Sequence, residues 1–479
     1  MNLVETLSQA ARQWPDRPAV VEGEAVLSYR DLWREVEALR ARLENLGIGG
    51  GQGVGVLGRN SRAFVVSALA ASACGAVVLP LHPQLRATEL AEILALAPLT
   101  AVISEAATPH RLEGSRDEVS LLDGTPLAVT RRAGVPPAPL VPWVPDAAFL
   151  RFTSGTTGAA KGVILTHRGV LERVAAANEG LGLGPEDAVL WVLPMAYHFF
   201  VSIVLYLSVG AAVVLCPDLA AESLLDVAER HRATFLYAAP LHIRLLTAEP
   251  SGRRLPASLR RVMSVSSPLT PQAARDFHAR FGVPVSQGYG IIEVGLPVMN
   301  IAEAAARPEA IGRPLTGYDV AVLDDDGNPV ADGETGQLAL RGPGLFAGYL
   351  APPLPAETVL RDGFFLTGDL VHRDAEGLLT IDGRSKTLIN IAGHKVFPEE
   401  VSGVLDRHPA VARSRISMRP HPQFGEVVHA EVELAEARSA SAEELLRFCR
   451  QHLSGHKVPA SIDVVPRITL TPSGKVRYV

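Results

Sequence analysis

The chain has 479 residues, 47% of them apolar and 20% charged, with a formal net charge of −6. At ~100–200 residues per domain this is a globular balance for two to four domains, or one large domain with an appendage, and the lack of a basic tract excludes a nucleic-acid partner. Cys74, Cys216 and Cys449 have no paired spacing, so neither a disulfide framework nor a zinc site is expected. The opening Met1-Asn-Leu-Val-Glu5 is not a basic-then-apolar leader, so a cytoplasmic protein is expected.

In chain order, Leu32, Val36, Leu39, Leu43 and Leu46 recur at helical spacing, with Ser28 as N-cap and Gly47 as the stop. Val54-Gly-Val56-Leu57 reads as a strand, Val65 to Ala71 as a small-residue helix, and Ala76-Val-Val-Leu-Pro80 as another strand. This βαβ rhythm implies a mostly parallel sheet covered by helices. Pro136, Pro137, Pro139, Pro142 and Pro145 form a stiff connector. Ala188 to Cys216 contains no charge and is long enough to cross a bilayer, but Pro194, His198, Gly210 and the Val213-Val214 pair favour strand, loop, helix and strand inside a core.

Beyond about residue 313 the texture changes to short strands, with turns at Asp324-Asp-Asp-Gly327 and Asp332-Gly333 and alternation along Gln337-Leu-Ala-Leu-Arg341. The last ninety-odd residues read as an α+β unit. Pro398-Glu-Glu400 opens a helix, Val427 to Leu434 alternates as a strand, and Ser441-Ala-Glu-Glu444 is a capping box. The expected class is α/β: a large domain over 1–384, made of parallel sheets with helices and a β-rich subdomain at about 313–384, then a small α+β domain over 385–479.

The densest chemical signal is Thr153-Ser154-Gly155-Thr156-Thr157-Gly158, continuing through Lys161 to Gly162. Glycines let backbone N–H groups turn toward an anion, the hydroxyls add donors, and Lys161 adds charge; the spacing is not that of a Walker A loop. With this loop and the motifs below, the sequence resembles the superfamily of acyl-CoA synthetases, firefly-type luciferases and non-ribosomal adenylation domains. The resemblance runs from Pro15-Asp-Arg-Pro18 to the last residues.

The resemblance implies ATP as substrate, AMP as product, Mg2+, and coenzyme A as co-substrate. In Gln287-Gly288-Tyr289-Gly290-Ile-Ile292-Glu293 it implies that Tyr289 lies against adenine and that Glu293 is catalytic and holds Mg2+, a hard cation suited to a carboxylate. Ile292 stands where the family usually has a threonine serving the α-phosphate region. Upstream, Ser264 to Leu269, including Ser266, Ser267 and Pro268, matches a stretch flanking adenine and the acyl pocket, and Val265 and Ser266 replace glycines. Asp369 of Leu366-Thr-Gly-Asp-Leu370 takes the ribose hydroxyls, Arg384 contacts the nucleotide, Lys386 marks the hinge of a mobile C-terminal domain, and Gly393 lines the thiol tunnel; Thr387 replaces a usual aspartate. Lys475 bridges the substrate carboxylate and the α-phosphate, where a positioned ammonium offsets the meeting of two anions. His198 stands beside the acyl pocket or packs in the core.

Gly53-Val-Gly55-Val-Leu-Gly58 is a literal dinucleotide fingerprint, but the next acid after it is Glu89, too far along, and a glycine-rich strand entry is expected. Amino-acid adenylation domains of the resembled superfamily place an aspartate in the segment matching residues 188–216 to hold the amino group; here that segment contains none and is apolar and aromatic, which favours an aryl, alicyclic or aliphatic acid. His456-Lys-Val-Pro459 resembles the Tyr-Lys-x-Pro stretch of CoA ligases more than its counterpart in peptide-synthetase domains, which implies coenzyme A as acceptor. Two alternatives stand beside this reading: loading of a carrier-protein thiol, and a degenerate nucleotide-binding member without turnover. The partners expected are a small carboxylate and a carrier protein as alternative acceptor, with no membrane insertion, in a monomer or homodimer.

Overall fold

The structure, a computed structural model, describes residues 2–476 apart from 107, 109, 111, 153–160, 386, 388, 392–393, 422–424 and 471–475. It divides into two compact units. The first comprises 1–308, 314–319 and 341–365; the second comprises 309–313, 320–340 and 366–479.

The first unit holds two sheets. In one, Ala188–Trp191 lies between Ala212–Leu215 and Phe235–Ala238, and the parallel order continues through Arg261–Ser264 to Val285–Ile291, with Gly295–Asn300 turning back antiparallel. In the other, Gly53–Leu57 pairs in parallel with Val77–Leu81 and Ala101–Glu105, and Ala147–Phe152 pairs antiparallel with Gly162–Thr166. The strands buried on both faces read as continuous apolar runs, as parallel strands under helices do.

Local sequence signals locate several elements. Helix Tyr29–Asn45 is capped by the Ser28 side chain, which accepts from Asp31 N, and Gly47 follows at φ +78°. Leu32, Val36, Leu39 and Leu43 are buried, and Leu46 is partly exposed just past the last turn. Segment 188–216 folds as strand, helical run from Met195 to Ser208, and strand; no helix among the described residues is long and apolar enough to cross a membrane. Gly53 and Gly55 belong to a strand that Gly58 follows, and the reason is packing: a Cβ on Gly53 would meet Leu99 and Leu140 at 3.0 Å, and one on Gly55 would meet Leu81 at 3.0 Å. The proline-rich connector has no helix or strand, and Leu140 and Val141 tie it to the core.

The second unit also has two sheets. One runs Asp319–Leu323, Gly336–Arg341, Phe365–Arg373, Leu379–Arg384. The alternating run 337–341 forms the expected strand, in which Ala339 is buried together with Leu338 and Leu340. The other sheet has Gly425–Leu434 between Val411–His421 and Ser461–Val465, covered by helices Pro398–Leu405 and Ala442–His452. Val401, Leu405, Leu445 and Cys449 fill the space between. Ser441 caps the second of these helices by accepting from Glu444 N.

Candidate active site

The 287–293 motif lies on the last parallel strand of its sheet and the turn that follows. Gly290 permits that turn, since a Cβ there would sit 2.7 Å from the Gly295 carbonyl. Tyr289 is buried, with Gly288 beside it against Val265 and Met263. Strand pairing of Ser264 with Gln287 brings the 264–269 segment alongside, and the Gln287 side chain locks it by accepting from Leu269 N at 3.1 Å and donating to Pro308 O at 2.7 Å. Ser266 adopts φ +75°, a left-handed conformation that favours glycine, so the sequence departure at this position is a conformational one. Ser267 and Pro268 are exposed.

Glu293 is half-buried, and Tyr349 is its hydrogen-bond partner among the described residues, with the phenol donating to Oε1 at 3.1 Å. Burial and the adjacent carboxylate push the Tyr349 phenol well above its ordinary value, so it remains a donor throughout the neutral range. Lys161 places its ammonium 4.8 Å from the centroid of the same ring. The fold therefore brings together Glu293 and Lys161 across one tyrosine that stands on the short strand Gly348–Tyr349 paired with Gly162–Thr166. A carboxylate with one oxygen fixed by a neutral donor suits a hard divalent cation completed by phosphate and water oxygens. No group of three or more His, Cys, Asp or Glu ligands occurs among the described residues.

Behind the motif lies Arg173, fully buried on helix His167–Leu181. It donates to Ile292 O at 2.8 Å and from Nε to Gly344 O at 3.0 Å, with Nη2 also on Gly344 O. Burial pulls this guanidinium down to about 10, and Tyr318 and Glu293 oppose that shift. Arg173 thus fixes the backbone immediately before Glu293. Gly344 takes φ +70° against the Arg173 side chain, where a Cβ would collide.

His198 lies edge-on to Trp191 at 5.9 Å and to Tyr237 at 6.3 Å, part of an aromatic wall with Tyr206 and Phe235. Next to it, Tyr197 stacks on His82 at 5.5 Å with 5° between the planes. Arg151 donates to Tyr197 O at 2.6 Å and lies 5.3 Å from that ring's centroid.

In the second unit, Asp369 is buried and pairs across the sheet with Arg384, whose Nε lies 2.7 Å from Oδ1. Within the strand Phe365–Arg373, Gly368 takes φ +76°, and its carbonyl accepts from Ser385 N and Oγ. Two further acids surround this pair. Asp382 takes His372 Nδ1 at 2.9 Å and the Thr335 hydroxyl at 2.7 Å. Glu399, read from sequence as an ordinary first-turn acid, has its Oε2 buried without a hydrogen bond, and burial pushes its carboxyl up.

Thr153, Ser154, Gly155, Thr156, Thr157 and Gly158 lie outside the described residues, as do Lys386, Gly393 and Lys475. Tyr349, Arg173 and Arg151 were not singled out from the sequence. For two of them a signal exists. Arg173 shares the helical face of Val170, Val174, Ala177 and Leu181, and Arg151 interrupts the apolar strand Ala147–Phe152; a charge in a core position asks for a partner. Tyr349 carries no such mark, since its role depends on a strand pairing distant in sequence.

The model for AMP-binding enzymes matches residues 7–350, and the model for the AMP-binding enzyme C-terminal domain matches residues 400–475. The chain is 33% identical to a sulfoacetate-CoA ligase of Cupriavidus necator, covering 99% of this chain and 96% of that protein. It is 30% identical to an indoleacetate-CoA ligase of Aromatoleum aromaticum, covering 100% and 97%. Among solved structures, ATP-bound MatB from Rhodopseudomonas palustris superposes with a TM-score of 0.85 at 25% identity, covering 100% of this chain and 97% of that one.

Proposed function

The chain belongs to the AMP-binding enzymes, and from that premise we propose that it is an acid–thiol ligase that converts a carboxylic acid to its adenylate and then to its coenzyme A thioester. What supports this reading most is the end-to-end likeness to proteins named as CoA ligases. In the first half-reaction a carboxylate oxygen attacks the α-phosphorus of ATP; the new C–O–P bond forms as the bond to pyrophosphate breaks. In the second, the thiol sulfur attacks the acyl carbon, AMP departs, and the thiol proton is released.

The roles assigned to the chain's residues follow the site. Tyr289 lies against adenine, Asp369 accepts from the ribose hydroxyls with Arg384 beside it, and the Thr153–Gly158 loop with Lys161 takes phosphate oxygens. Lys475 serves the first step, while Lys386 and Gly393 serve the domain movement and the thiol passage of the second. Glu293 would hold Mg2+, which supplies charge neutralisation at the phosphates. The acid's carbon frame lies toward the aromatic wall that includes His198. Both named relatives take an acetic acid carrying a substituent, and residues 188–216 lack an aspartate for an amino group.

The test is pyrophosphate release over a panel of aryl, aliphatic and substituted acetic acids, with and without coenzyme A, on the native protein and on Lys475→Ala. The expected result is acid-dependent release, thioester only with coenzyme A, and in the variant loss of adenylation with thioester formation from supplied acyl-AMP retained. ATP binding with no acid-dependent release from any acid would refute the ligase reading, and equal loss of both steps in the variant would refute the division of labour.

A further inference from the structure

Arg151 is a cation in a place built for an apolar residue. Its strand, Ala147–Phe152, pairs residue by residue with Gly162–Thr166. Successive side chains alternate between faces. Leu150 and Phe152 enter the core on one face, while Phe149 and Arg151 point to the other, where Phe149 meets Phe200 at 4.6 Å and Arg151 meets Tyr197. Both contacts lie on the helical run from Met195 to Ser208, which contributes His198 and Tyr206 to the aromatic wall assigned to the acid.

The guanidinium is poorly compensated there. One Nη donates to the Tyr197 carbonyl, the plane lies against the Tyr197 ring, and Nε is buried with no hydrogen-bond partner. Among the described residues no carboxylate forms an ion pair with it. Glu293 is near enough to favour the charged state, while burial opposes it. His82, stacked on the same Tyr197 ring, is pulled below its ordinary value by burial, which favours its neutral form. A buried charge without a counter-charge is costly and is kept where an anion comes to it. The residue is nonetheless partly exposed.

The anions that visit this region are the nucleotide phosphates and the acid. The phosphates have the hydroxyl-rich loop and Lys161 in the reading above. Arg151 is anchored instead to the segment facing the acid. Resting on the acid–thiol ligase reading, we infer that Arg151 is a specificity-determining residue that binds a second anionic group on the substrate, so that the preferred acids carry a sulfonate or second carboxylate besides the carboxylate that is activated. Its fork of donors suits two oxygens of such a group.

The experiment uses the full chain with ATP and Mg2+ and measures pyrophosphate release on matched acids: sulfoacetate and malonate against acetate and propionate, and 4-sulfobenzoate against benzoate. The native protein should favour the member with the second anion, and Arg151→Met should lower kcat/KM on it by about 100-fold, the worth of a charge-assisted hydrogen bond, through the KM for acid. The KM for ATP and activity on the monoanionic partner should hold or improve, and Arg151→Lys should recover part of the loss. Native preference alone decides the question if the methionine variant fails to fold. Release with monoanionic acids and no preference for the second anion overturns the inference and leaves the proposed function standing. A rise in the KM for ATP with equal losses on all acids assigns Arg151 to the phosphates and also overturns it. No release with any acid overturns both.

Discussion

Replacing Tyr349 with phenylalanine removes one oxygen and isolates what that oxygen does. The ring stays in its place between Phe346 and Lys161, so packing and the cation–π contact persist, while Glu293 loses the donor on Oε1. A hydrogen bond to a charged acceptor is worth ~1.5–3 kcal/mol, and the lower end applies because Glu293 is partly solvated. Water can replace the phenol on a partly exposed carboxylate, but it cannot fix its orientation. Loss of an outer-shell partner typically costs 10–100-fold in metal affinity, and about tenfold corresponds to ~1.4 kcal/mol. Titrating Mg2+ in the pyrophosphate-release assay should therefore show Tyr349→Phe needing about tenfold more Mg2+, with the rate at saturating Mg2+ largely recovered. Thermal melts without nucleotide should match the native protein. An unchanged Mg2+ requirement would show that Glu293 does not hold the cation through an oxygen oriented by Tyr349, and the assignment of this carboxylate would fall with it.

Three other outcomes follow from the same geometry. Arg173→Met should destabilise the fold by about 3 kcal/mol in urea titration, because the Ile292 and Gly344 carbonyls are left buried and unpaired at ~1–3 kcal/mol each; a loss under about 1 kcal/mol would contradict the clamp. Ser266→Gly should raise stability by about 1 kcal/mol, since φ +75° strains serine and suits glycine, and a lowered urea midpoint would mean that the serine hydroxyl contributes more than the strain costs. His167 and His242 are both held below their ordinary value by burial, so the unfolded chain binds protons that the native state resists. Stability is then full above about pH 6.5 and declines as pH falls through and below it. The urea midpoint should drop between pH 7 and pH 5, less steeply in His167→Asn, and a midpoint that is flat or rises toward pH 5 would refute this.

How far the sequence discloses the molecule depends on whether a feature is local. The cap at Ser28, the stop at Gly47, the proline opening at Pro398 and the βαβ rhythm of the first hundred residues all rest on interactions within a few positions, and they are legible without the structure. Along 337–341 Ala339 is buried as well as Leu338 and Leu340, so the second face of this strand is covered too, and that is tertiary information. The glycine pattern at 53–58 imitates a nucleotide fingerprint for a reason visible only in three dimensions, the approach of leucine side chains from neighbouring strands. Among site residues, Tyr289, Glu293, Asp369 and Arg384 are marked by motifs. Tyr349 is invisible because its partner is reached by strand pairing.

Arg173 and Arg151 show what separates a structural buried charge from one that waits for a ligand. Both are arginines in apolar patterns, both are pulled down by burial, and both feel Glu293. Arg173 meets two carbonyls with three donors, which satisfies much of the fork and leaves it with a purely architectural task. Arg151 meets one carbonyl and one ring face, and its Nε has nothing. Evolution of a strand position that needed only packing would favour leucine or valine, with no desolvation to offset. The deficit in hydrogen bonds, rather than the burial or the charge, is what distinguishes Arg151, and it is the property that an incoming anion would correct.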